Sequence, residues 1–378
     1  MAFAVKRKEG CMSELRRRLM MQGSGTKLRG YVINQTGTYT DPSAMIQNRD
    51  ASIFQEIRNA SHLYVGELVN GVLQCKQVSD ADKTLYADGT SVVLDGNKDM
   101  FMKLPQFWWK VDVLNNNNDT IRISFSMEEQ DGWDEWEGNT FIGVYKALSQ
   151  SSKLYSRSGY TPTTSMRADY SCKYARNRGA GYRCITYESH RMMCLLCWGY
   201  AGTLDSQSVF GGYNVEDGTT GICDDLGMTD TTPNDTQHSG AVNFWGLENF
   251  WGWKEELIDN MRYVGSKRIK YIDLSDNDIR TISNCGTNQS SWRLISKMVL
   301  GQYADVVPAS YITNGNTATY YADYGYLAGQ TVGRYCTRCC PASDSSNGIS
   351  TMYGGVSYNT TNANRTNRIQ YEGSYIII

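Results

Sequence analysis

Residues 243–260, NFWGLENFWGWKEELIDN, crowd Trp245, Trp251 and Trp253 among Gly246 and Gly252 in a pattern that follows no amphipathic period. Each indole buries a large area, and the glycines let neighbouring backbones approach where a Cβ would intrude. The stretch therefore belongs at the centre of a compact domain, with these three tryptophans as structural core. Its second half is ambiguous. Leu257, Ile258 and Met261 share one helical face, so periodicity alone predicts a helix over residues 254–261.

A chain of 378 residues has room for two or three domains, each with its own core. Lys+Arg 37 against Asp+Glu 39 leaves a formal charge of −2, which gives no global field to draw in nucleic acid or an anionic membrane. Gly 36, Tyr 26 and Pro 6 suit short strands joined by glycine turns. The start, MAFAVKRKEGC, is charged and lacks an apolar h-region, so no signal peptide and synthesis in a reducing cytosol are expected. The 11 Cys then read as free, buried, small hydrophobes, without a disulfide framework. No apolar run reaches the ~20 residues of a membrane span, so a soluble chain without membrane insertion is expected.

Along the chain, Met12, Leu15, Leu19 and Met20 form one stripe beside Arg16 to Arg18, before the breaker Gly23-Ser24-Gly25. Residues 1–26 read as a basic amphipathic helix that needs a docking partner, because so short a helix is marginal alone. Residues 27–99 read as a small β-rich domain, with strands at KLRGYVI, SHLYVGELV, GVLQCKQV and TSVVLDG. A second domain, 100–378, opens with one long strand, MFMKLPQFWWKVDVL, that turns at Asn115 to Asp119 into TIRISFSM. TFIGVYKAL is a further strand. Ser165 is placed to cap a helix over 166–178 that stops at Gly179, and Thr186 to cap a second helix. Residues 206–239 are polar, glycine-rich loop, and KRIKYIDL with IRTIS forms a hairpin about Asp276-Asn277.

Chemistry-bearing patterns are weak. Cys194-x-x-Cys197 sits among Leu and Trp at helical spacing with no matching second ligand pair, so core packing is expected and no metal. The acidic tip from Asp273 to Asp278 lacks the glycine and terminal Glu of a calcium loop. Neither a Gly-x-Ser-x-Gly elbow, a His-Glu-x-x-His nor a phosphate loop occurs, and His62, His190 and His238 are scattered. Glu255 and Glu256 are adjacent and, on a strand, face opposite ways, so they cannot form a glycosidase pair by themselves.

The order of SRSG, the helix end YARNRGAGY, NFWGLENFWGW, WRLISKMVLGQYADVVP, GRYCTRCC and the closing GGVSYNTTNANRTNRIQYEGSYIII is specific. Over residues 100–378 it resembles the C-type-lectin-like fold shared by formylglycine-generating enzymes and the variable proteins of diversity-generating retroelements. It is similar above all to tail-fibre or receptor-binding proteins of phages and prophages of gut bacteria, as are ELRRRLMM and the N-terminal strands. The resemblance implies an α+β fold of two helices plus antiparallel, loop-rich strands, preceded by the small β-rich domain. It also implies that residues 252–260, where the family has G-N-V-x-E-W, run as a buried core strand despite their helical pattern.

Formylglycine-generating enzymes bind copper(I) through two late thiolates. Cys336, Cys339 and Cys340 lie in that region, but their spacing differs and the Arg-Tyr-Arg run that follows the enzymes' pair is absent, so no catalytic residues and no cofactor are expected. The Trp-Asn-Asp motif of calcium-dependent lectins is also missing. What the resemblance implies is recognition. Tyr335, Asp344, Ser345, Ser346, Asn347, Tyr353, Ser357, Tyr358, Asn359 and Asn362 occupy the segment that displays the ligand surface in the variable proteins. Tyr supplies rigid area at low entropic cost and Ser and Asn supply adaptable hydrogen bonds. The expected function is a virion protein of tail-fibre type, a homotrimer, that binds a host-cell surface glycan or protein and contacts other virion proteins through its N-terminal region. An adaptor or capsid-fibre protein using the same fold for protein contacts is the alternative, and a copper oxidase of formylglycine-generating type a remote one.

Overall fold

The structure, a computed structural model, describes residues 29–36, 41–211, 218–230, 238, 240–273, 277–286, 293–312, 321, 323–327, 334–338, 348–356 and 361–378. It is a sheet-rich α+β protein. Four helices occur among the described residues: α1 (Ala51–Asn59), α2 (Ala168–Arg176), α3 (Tyr187–Ala201) and α4 (Gln207–Phe210). None is long and apolar enough to cross a membrane. The expected basic helix over residues 1–26 lies outside the described residues.

Three sheets carry the architecture. The first is antiparallel, in the order Ile46–Gln47, Gly30–Asn34, Thr120–Ser126, Phe107–Val113, Asp134–Trp136. Ile121, Ile123 and Phe125 alternate onto its buried face, as period-2 patterning requires. The expected hairpin forms, with the Asn115 side chain accepting from the amides of Asp119 (3.0 Å) and Thr120 (3.2 Å). The long strand expected over 100–114 is instead two. Lys98–Lys103 lies in the second sheet and Phe107–Val113 in the first. Pro105 sits in the break, where its missing N–H removes a ladder donor.

The second sheet runs Tyr182–Cys184, Ile369–Glu372, Thr140–Gly143, Lys98–Lys103, His62–Val69, Val72–Gln77, Tyr375–Ile377. This corrects the separate domain expected at 27–99. Its strands at 62–77 are hydrogen-bonded between later ones, and Tyr31, Ile53 and Phe54 share one core with Trp198, Trp245 and Trp251. Sheet pairing selects partners by register and face, which the local pattern of a strand does not encode. The expected strand at TSVVLDG is absent. Only an isolated bridge, Leu85 to Ser91, forms there, and Val93 is exposed.

Helix α1 replaces part of the β-rich pattern expected before residue 96. Asp50 caps it by accepting from the Ser52 amide at 3.0 Å, and Ile53, Phe54 and Ile57 fill its inner face. Helix α2 starts at Ala168, preceded by an extended Arg167 without a side-chain cap. Ser165 has φ 58 and does not cap it. Thr186 does cap α3, accepting from the Ser189 amide, and Gly202 at φ 73 ends that helix. Cys194 and Cys197 are wholly buried inside α3, as core packing predicted.

The aromatic stretch is the centre of the core. Asn243–Phe244 and Leu247–Glu248 pair about Trp245-Gly246, both with positive φ (50 and 82), the geometry of a type I′ turn. A bulky residue at that φ is strained. Burial holds it. The Trp245 ring lies 5.1 Å from Phe244 and 5.5 Å from Tyr200, while Trp251 lies 5.7 Å from both Phe210 and Phe244. After Gly252 and Trp253, again at positive φ, the chain becomes the strand Glu255–Gly265. The helical pattern of 254–261 is thus overridden, because each residue from Glu255 to Met261 is buried between other strands.

That strand anchors the third sheet, ordered Asp278–Ile282, Arg268–Ile272, Glu255–Gly265, Arg334–Arg338, Met352–Val356, Tyr324–Leu327, Arg293–Met298, Pro308–Tyr311, with Arg365–Thr366 parallel to Glu255-Glu256. The expected hairpin appears here as Arg268–Ile272 against Asp278–Ile282.

Candidate recognition surface

The surface expected to bind a ligand rests on a buried ionic layer. Alternation along Glu255–Gly265 sends Glu255 and Glu256 to different partners. Glu256 accepts from Lys146 Nζ (2.8 Å) and from Arg368 Nε and Nη2 (3.0 and 2.9 Å), and Arg338 Nε lies 3.2 Å away, with all four side chains fully buried. Burial by itself would raise the Glu256 pKa. Arg368, then Lys146 and Arg338, outweigh it and hold the carboxyl well below the usual carboxylate range. Arg338 makes no hydrogen bond to protein among the described residues, but its guanidinium lies 3.6 Å from the Phe250 ring centre. Glu255 instead meets Arg365 at 3.4 Å and Thr337 Oγ1 at 3.3 Å. Burial keeps its pKa above the ordinary value against those two partners.

A wide bulge then re-aims the strand. Ile258 pairs with Cys336 but the next pair is Arg262 with Tyr335, so Asp259, Asn260 and Met261 are inserted on one side only. Buried Asp259 turns to Arg176 (2.7 Å) and Arg183 (3.6 Å), and Arg262 emerges beyond the bulge. Its guanidinium sits 3.5 Å from the centre of the Tyr335 ring while Nη1 donates to the carbonyl of Asp259 at 2.6 Å. Tyr335 and Tyr353, on neighbouring antiparallel strands, are both half-buried and pack on Leu257, Val356, Ala168 and Cys172. The structure therefore brings Tyr335 and Tyr353 together and adds Arg262, which sequence reasoning missed. No local pattern marks Arg262, since its neighbour is 73 positions away in sequence (335 − 262).

Asn362 is half-buried. Its side-chain oxygen accepts from the Asn364 amide at 2.8 Å, and its carbonyl accepts from the amides of Ser165 and Arg365 at 3.1 Å. Asp344, Ser345, Ser346, Asn347, Ser357, Tyr358 and Asn359 lie outside the described residues. The chain on the far side of 339–347 is firmly held. Asp323 accepts from the amides of Gly348 (2.6 Å) and Ser350 (2.9 Å) and from the Ser350 hydroxyl, and Ser206 Oγ accepts from the Ile349 amide at 2.9 Å. Burial pushes the Asp323 carboxyl up to about 7 against those hydrogen bonds. A side chain at Gly348 would meet Asp323 and Ser206 oxygens at 2.3 Å, so only glycine fits.

Cys336 is fully buried, and burial pushes its thiol up to about 12, far from a reactive thiolate. Cys339 and Cys340 lie outside the described residues. Among the described residues no three His, Cys, Asp or Glu stand together in a metal-holding arrangement. His62 faces Asp80 at 3.1 Å, His238 faces Asp225 at 3.0 Å, and His190 is buried in α3 with its pKa lowered by that burial. Comparison with known protein families and with curated proteins gives no match.

Proposed function

We propose that this chain is a virion protein of the phage tail-fibre type that recognises a receptor on the host-cell surface, glycan or protein, and that it is not an enzyme. Its fold, on this reading, is C-type-lectin-like, of the kind seen in formylglycine-generating enzymes and retroelement-diversified variable proteins. One observation carries the reading. Tyr335, Tyr353 and Arg262 share a half-exposed surface whose rear is locked by the buried Glu256 layer. Tyr and Arg on a rigid backing are the residue types that dominate binding energy at protein surfaces. The adjoining Ser- and Asn-rich segments would add contacts that tolerate substitution without disturbing that layer.

The test is adsorption of the purified chain to host cells with Tyr335→Ala, Tyr353→Ala and Arg262→Ala, folding being checked by circular dichroism. Each variant is expected to weaken adsorption on the order of tenfold, as loss of a contact residue worth more than 1 kcal/mol does. Undiminished adsorption by folded variants overturns the reading and favours an adaptor or capsid-fibre role, in which the same face meets another virion protein.

A further inference from the structure

Away from that surface, a groove of about 620 Å³ runs between the edge strand Asp134–Trp136, the first turns of α3 and the hairpin around Ile272. Through Asn139, Arg183 and Glu372 it adjoins a second hollow of about 710 Å³ floored by Gly179, Gly181 and Gly373, so the depression is elongated. Trp109, Trp136 and Tyr271 line the first part. Trp109 is only 6% exposed. The buried indole N–H of Trp136 has no hydrogen-bond partner among the described residues, and the Trp136 ring is stacked on Phe107, covering one face.

Charge in the groove is unbalanced. Among the described residues six carboxylates line it against two guanidinium groups, and both of those are engaged elsewhere. Arg183 turns to Asp259 at 3.6 Å, and Arg191 donates to the Tyr303 carbonyl at 2.9 Å while lying over the Trp109 ring. Glu188 accepts only from Asn260 (2.8 Å) and Glu137 only from Asn139 (2.7 Å), and neither forms a salt bridge among the described residues. Glu372 stands close enough to sense both. Desolvation in the groove holds its carboxyl above the ordinary range, Arg183 opposes this, and Glu188 and Glu137 add to it.

We propose that this groove binds a saccharide chain carrying a protonated amine. Sugar hydroxyls donate to the carboxylate oxygens of Glu137 and Glu188, while the apolar face of a sugar ring covers an aromatic one. An ammonium group among Glu137, Glu188 and Glu372 relieves their mutual repulsion, and it gains cation–π attraction from the neighbouring rings. Acidic saccharides are repelled. A basic peptide would match the charge, but the open edge here is a three-residue strand bearing exposed Asp134 and Glu135, and charged, short edges resist strand addition.

Calorimetric titration of the full chain with a glucosamine hexamer tests this, with the N-acetylated hexamer as the uncharged match and an Arg-Gly repeat peptide as the competing class. The glucosamine hexamer is expected to bind at least tenfold tighter than either, and Glu188→Gln with Glu372→Gln is expected to remove that preference. Trp136→Ala should weaken both hexamers. Equal binding of the two hexamers, tighter binding of the peptide, no saccharide binding, or an unchanged preference in the double variant overturns the proposal. Tyr353→Ala leaves the titration unchanged, so this site and the tyrosine surface fail or stand separately.

Discussion

Arg368 and Glu256, 112 positions apart, meet in an interior where neither is exposed, and two nitrogens of the guanidinium donate to the one carboxylate. Arg368 also donates to the carbonyls of Gly143, Val144, Glu248 and Asn249 at 2.6–3.1 Å. One side chain thereby joins the second sheet, the aromatic turn and the third sheet. A buried ion pair of this kind does little for stability compared with an apolar replacement, but removing one partner strands the other in low dielectric.

Glu256→Gln leaves Lys146, Arg338 and Arg368 without their shared carboxylate. The expected loss is about 3–5 kcal/mol, read as a drop in the urea midpoint of the full chain. A loss under about 1 kcal/mol, the scale of an exposed pair, would show that the layer is solvated.

Gly199 gives a prediction of sign. In most helix interiors Gly→Ala gains about 1 kcal/mol. In α3 a Cβ at this position would lie 2.3 Å from Phe54 Cζ and 2.8 Å from Tyr31 Cε1. Gly199→Ala is therefore expected to destabilise by about 1–3 kcal/mol through overpacking, measured by thermal or urea unfolding. A gain in stability would contradict the seating of α1 against α3.

Asp323 links stability to pH. Its folded pKa, about 7, lies above the ordinary 3.8, so the proton binds the folded state more tightly. That contribution is complete below 3.8 and is lost as pH rises through about 7. Within the window the slope approaches about 1.4 kcal/mol per pH unit for a single group. Measured against Asp323→Asn, which cannot titrate, the wild-type chain should lose relative stability as pH climbs through this window. A difference independent of pH would show that Asp323 keeps its charge throughout.

A homotrimer is the expected assembly, and mass tests it. Light scattering of the full chain should give three times 42.5 kDa, and host-cell adsorption should fall after Tyr353→Ala with Asn359→Ala. Tethered copies rebind at high effective concentration and raise avidity by roughly 10²–10⁴, which lets weak, substitution-tolerant loops hold a cell. A monomer, or undiminished adsorption, favours the adaptor reading.

What the sequence by itself determined lies where a local cause acts alone. Thr186 capping α3, the Asn115 hairpin and the pairing of Arg268–Ile272 with Asp278–Ile282 follow from side chains acting within a few residues of themselves, and the burial of Trp245, Trp251 and Trp253 follows from their own large apolar area. Asp50 before Ile53, Phe54 and Ile57 was an equally local helix signal, masked by the β-rich composition around it. Tertiary structure decided the rest. Glu255–Gly265 is a strand against its helical period because its neighbours bury both faces, and residues 62–77 entered a sheet with the chain's last strands because free edges there accepted their register. The pairing of Arg262 with Tyr335 and the meeting of Glu137, Glu188 and Glu372 in one groove were likewise illegible, since sequence spacing carries no information on which distant strands will lie side by side.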